Sequence, residues 1–97
     1  MLKNIDEKLL ALDGNVILDN GKEISIKDIL IDALMDNSAE SNSITGDQKL
    51  DRYLLAIKCK QGGEIDFTPE QIVTFKKLIG VKYPPLVVGQ LFLFFNS

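Results

Sequence analysis

The sequence predicts a small α+β domain, mostly helical, with four to five short helices and a small antiparallel β-hairpin or sheet. Three observations lead there. Ser25, Thr45 and Thr68 are each followed three residues on by Asp28, Gln48 and Gln71, the pattern of a helix start whose side chains satisfy one another's backbone donors. Asn20-Gly21 stands between two short β-prone runs, which favours a tight hairpin turn. Pro84-Pro85 forbids one long C-terminal helix and allows a new one to begin.

Taken in order, Leu2, Ile5, Leu9 and Leu12 share a helical face opposite Lys3, Asp6, Glu7 and Lys8, so a helix is expected over residues 2–10; a strand leading into the hairpin is the alternative. Asp13-Gly14-Asn15 reads as a turn, and Val16-Ile17-Leu18, Asp19-Asn20-Gly21-Lys22 and Glu23-Ile24-Ser25 as the hairpin, over about 12–25. Helices are expected over about 26–36, 46–60, 69–79 and 85–95 of a single domain, 1–97. The first turns Ile26, Ile29, Leu30, Ala33 and Leu34 inward, and the second Leu50, Tyr53, Leu54 and Ile57. Polar, aperiodic residues 37–43 read as the most mobile loop. Gly62-Gly63 stops the second helix, and Glu64-Ile65-Asp66-Phe67 alternates like a short strand lying beside the hairpin. Phe67 and Ile72 bracket the Thr68 cap, and Gly80 is the expected stop of the third helix.

Composition narrows the function. There is no histidine, which removes His-based acid–base catalysis and every His-containing metal site; the single cysteine, Cys59, cannot form an internal disulfide and makes zinc improbable. Asp13, Asn15 and Asp19 suggest a calcium loop, but Ile17 and Ile24 occupy places where that loop needs ligands. Asp28 and Asp32 lie one turn apart on the expected wet face, the usual look of solvated carboxylates. No candidate nucleophile is paired with a base, so neither an enzyme nor a cofactor is expected. Acids near the N-terminus replace the apolar core of a signal peptide, and cytoplasm is the expected compartment.

Charge is unevenly divided. Residues 1–47 hold 4 lysines against 10 acids, and 48–97 hold 7 Lys plus Arg against 4 acids, so −6 faces +3. An acidic chain of pI near 4.8 does not suit long nucleic acid, whose affinity comes from neutralised phosphates. A small anion needs only a few cations and an aromatic, and Arg52, Tyr53, Lys76, Lys77 and Tyr83 are the candidates.

The C-terminal run is apolar around its whole circumference and too short to span a bilayer, so burial against protein is expected and membrane insertion is not. Leu86, Val87, Leu91, Phe92, Phe94 and Phe95 are the expected interface, because so many large side chains exceed what a 97-residue core should absorb. Homo-oligomerisation is the first expectation, and association with a different protein the other.

The chain also resembles small, mostly uncharacterised accessory proteins of tailed bacteriophages and prophages. The residues concerned are Leu12-Asp13-Gly14-Asn15, helix 26–34, Asp51-Arg52-Tyr53-Leu54-Leu55-Ala56, and Lys76-Lys77-Leu78-Ile79-Gly80 with Tyr83 and Pro85-Leu86-Val87-Val88-Gly89-Gln90. The resemblance implies a non-enzymatic protein acting by association in the host cytoplasm, with a host or phage protein as the partner other than a second copy, and brings no catalytic residue with it. The alternative it suggests is a sponge-like anti-defence protein whose subunits hold a nucleotide-type signal.

Overall fold

The computed structural model describes residues 2–36 and 45–96. It is a mostly helical α+β fold in the order β1 (Leu2–Asn4), β2 (Leu18–Asp19), β3 (Lys22–Glu23), α1 (Ile26–Met35), α2 (Gly46–Lys60), β4 (Glu64–Asp66), α3 (Pro69–Lys82) and α4 (Pro85–Asn96). The loop expected over 37–43 lies outside the described residues.

Each of the three capping pairs closes as its residue types require. Ser25, Thr45 and Thr68 accept from the amides of Asp28, Gln48 and Gln71, whose side chains accept in return from the cap residue's own amide. Asn20 and Gly21 join β2 to β3 with φ of 52° and 80°, the paired left-handed conformations that a two-residue hairpin turn demands. Gly62 and Gly63 follow α2 with φ of 72° and 76°, as a helix stop should.

Three expectations about the chain path are corrected. Residues 2–10 do not form a helix: Leu2–Asn4 is a strand, and the extended chain beyond it bridges Lys8 to Ser25 and Leu10 to Val16. Alternate placement of Lys3, Ile5 and Leu9 on the buried side explains why this segment competes as extended chain. The partner of β4 is β1, with Lys3 opposite Ile65, not the hairpin. Gly80 does not end α3, which continues to Lys82; it is helical, and a methyl group there would meet the Phe92 ring of α4 at 3.8 Å, an ordinary packing distance, so neither its backbone nor its surroundings call for glycine.

The core gathers Ile5 and Leu9 from the N-terminal segment, the expected five residues of α1, Leu55, Ala56 and Cys59 of α2, Ile65 and Phe67, Phe75, Leu78 and Ile79 of α3, and Leu91 and Phe95 of α4. Its aromatic centre is Phe67, Phe75 and Phe95, with ring centroids 5.4–5.9 Å apart: Phe67 stands edge-on to both others, which stack with each other. At the centre of α4, the Gln90 amide donates to the Leu10 carbonyl at 2.6 Å, and its oxygen accepts from the Leu10 amide at 2.8 Å. The N-terminal segment is therefore tied to later parts of the chain twice, to β4 through β1 and to α4 through Gln90.

Candidate interaction surface

The C-terminal helix does not present its apolar residues as a set. Leu91 and Phe95 fill the chain's own core, at 0 and 6 % exposure, and Val87, Val88 and Phe94 pack against that core. Leu86 and Phe92 are half-buried, leaving Leu93 as the outward residue, 72 % exposed. Of the six residues expected at an interface, Leu91 and Phe95 are thus placed in the subunit's own core, where Phe67 and Phe75 shelter Phe95, while Leu86, Val87, Phe92 and Phe94 stay half-buried. Leu91 and Phe95 are unavailable to a partner without unfolding.

Helix α2 does the opposite. Leu50, Tyr53, Leu54 and Ile57, expected to face inward, are 43 to 53 % exposed, while Leu55, Ala56 and Cys59 face the core. These four recur at i, i+3, i+4 and i+7, so they form one continuous stripe about two turns long on the outer side of the helix. Single exposed apolar residues are ordinary; a contiguous stripe of four on one helix face is the kind of patch that, among those a monomer exposes, is often functional. Asp47, Asp51 and Lys58 border it on one edge and Lys49 and Lys60 on the other, all exposed. The apolar periodicity of α2 belongs to two opposed faces, and sequence reasoning chose the longer one. The signal for the inner face was the Leu55, Ala56, Cys59 spacing, half as long and made of smaller side chains.

Beside the stripe, a cleft of about 540 Å³ opens between α2 and the first turns of α3, lined by Arg52, Leu54, Leu55 and Lys58 together with Asp51 and Glu70. Its lining carries two cations and two carboxylates, so it offers an anion no net positive surface. Of the candidate anion-binding residues only Arg52 lies there. Tyr53 belongs to the outer stripe, and Lys76 meets the Asn96 side chain and the Phe92 ring. Lys77 is exposed on α3. The Tyr83 hydroxyl donates to Asp32, which Lys82 also meets at 3.2 Å while reaching Asp36 at 3.4 Å. That cluster pins the end of α3 to α1, and burial together with the Asp32 carboxylate pushes the Tyr83 hydroxyl well above the ordinary phenol range. One subunit does not bring the five residues together.

Asp28 and Asp32, read as solvated carboxylates, are both exposed, and each also has a partner, Asp28 in the Ser25 cap and Asp32 in Tyr83 and Lys82. Cys59 is buried, and desolvation raises its thiol to about 11. Among the described residues no cluster of carboxylates and cysteine is arranged to hold a metal ion, and no helix is long and apolar enough to cross a membrane. No protein-family model, curated protein or solved structure matches the chain.

Proposed function

We propose that this protein acts by association, docking copies of itself through the outer face of α2 rather than through the C-terminal helix. The observation that carries the reading is the stripe of Leu50, Tyr53, Leu54 and Ile57 held in solvent on a helix whose other side is fully committed to the core. Burying such residues yields about 25 cal/mol per Å² of apolar surface, a driving force that the folded subunit leaves unused. The part of the proposal that makes it a phage accessory protein rests on the sequence resemblance alone. Sedimentation of the wild type and of Leu54→Glu across 5 to 500 μM, roughly the range over which weak protein pairs assemble, tests the association. Mass should rise with concentration for the wild type and stay monomeric for the variant. A wild-type monomer throughout that range would sink the reading.

A further inference from the structure

Resting on that reading, we propose that the occupant of the α2 face is the α2 helix of a second copy, packed antiparallel about a two-fold axis that passes between Tyr53 and Leu54. At 100° per residue, Asp47, Lys58 and Asp51 stand roughly 60 to 100° to one side of Leu50, and Lys60 and Lys49 about 80 to 100° to the other. In an antiparallel pair, like edges meet. Leu50 of one copy then faces Ile57 of the other, Tyr53 faces Leu54, and Lys58 arrives between Asp47 and Asp51, about 3 Å along the axis from the level of each at 1.5 Å per residue. The same edge thus supplies both halves of an ion-pair set, twice by symmetry, which is what a self-complementary face requires.

Lys58 is exposed and can turn to this contact, exchanging a long bond, 3.4 Å, to the Asp66 carbonyl and the nearby Asp66 carboxylate for two aspartates of the other copy. On the opposite edge Lys49 of each copy lies near Lys60 of the other, both on exposed stems that can carry the ammonium groups outward into water. The edge charges alone would be served as well by a parallel pair, in which Asp47 and Asp51 meet Lys49. Helix dipoles break the tie, since only the antiparallel arrangement opposes them. A stripe of a few hundred Å² per copy falls below the about 1,200 to 2,000 Å² of a standard stable interface, so the pair is a weak one that forms and separates readily.

Disulfide trapping on the full chain tests the arrangement. Leu50→Cys and Ile57→Cys proteins, one carrying a mass tag, are oxidised separately and mixed, with buried Cys59 as the internal control. The antiparallel pair predicts that the mixed 50–57 disulfide exceeds either self-disulfide by about fivefold or more, because only those positions come within Cα–Cα bonding distance. Lys58→Glu should weaken association about tenfold, and Asp47→Lys with Asp51→Lys in the same chain should restore it. Predominant 50–50 and 57–57 disulfides would overturn the antiparallel geometry while leaving association through α2 standing. Assembly that survives Leu54→Glu and yields no trapped dimer would overturn both.

Discussion

At φ 72°, and with its Cα so near Asp6 that a methyl group there would sit 2.7 Å from the carboxylate oxygen, Gly62 occupies a place that only glycine fits. The same carboxylate accepts from the Gly63 amide at 2.8 Å, so the turn after α2 and the chain after β1 hold each other. Gly62→Ala should therefore cost about 1 to 3 kcal/mol of stability by denaturant unfolding. Gly89→Ala is the control, since that glycine is helical, exposed and has open space around it; it should stabilise by about 0.5 to 1 kcal/mol. Buried Cys59 allows a second test. Its thiol is raised from 9.0 to about 11 in the folded chain, so the fold binds a proton that the unfolded chain releases between those values. The contribution is complete below pH 9 and is lost as pH climbs through 11. The melting temperature should accordingly fall from pH 9 to 11, and Cys59→Ala should flatten that part of the profile. Tyr83, raised for similar reasons, sustains the decline at still higher pH.

At the scale of elements, capping chemistry was readable and orientation was not. Ser25–Asp28, Thr45–Gln48 and Thr68–Gln71 are local, so residue type and spacing fixed the starts of three helices and, with Pro85, of a fourth. Which side of a helix goes inward depends on neighbours far away in sequence. That is why the stripe of α2 was read inside out, and why α4, apolar on every side, gave no sign that Leu91 and Phe95 face inward while Leu93 faces out. The same gap left the candidate site half legible, since the interface residues were sought on the helix with the most apolar side chains rather than on the one with an unmatched face. Truncation separates the two sides of α4. Phe95→Ala removes a ring that contacts both Phe67 and Phe75 and should cost about 3 to 5 kcal/mol, whereas Leu93→Ala should stay within about 0.5 kcal/mol. Equal losses at the two positions would contradict the orientation of α4.

Across the whole molecule, the notable feature is how remote parts of the chain are tied by few groups. β1 meets β4 some 60 residues away, and Gln90 binds both backbone groups of Leu10 from 80 residues away. Neither tie could be read from local pattern, because a strand of three residues and one glutamine in an apolar run carry no periodic signal. Gln90 matters because it acts as a surrogate strand edge: toward Leu10 its amide presents one donor and one acceptor, as a backbone peptide does, while the same nitrogen also donates to the Leu86 carbonyl at 3.0 Å. Gln90→Glu keeps the acceptor for the Leu10 amide but sets a carboxylate against the Leu10 carbonyl. Each hydrogen bond is worth about 0.5 to 1.5 kcal/mol net, and two lone-pair-bearing groups held at 2.6 Å add repulsion. The variant should thus lose about 1 to 3 kcal/mol at neutral pH and recover part of it in acid, where the protonated carboxyl can donate again. Gln90→Met, similar in shape and without the donor, should lose stability independently of pH. The Leu10 amide gives the local readout: its hydrogen exchange should accelerate most in Gln90→Met, which removes its acceptor, and less in Gln90→Glu, which keeps it, while amides in the centre of α1 keep the wild-type rate until global opening takes over. Unchanged protection of Leu10 in Gln90→Met would mean that Gln90 does not hold this stretch of backbone and that the shared core alone keeps α4 against the N-terminal segment.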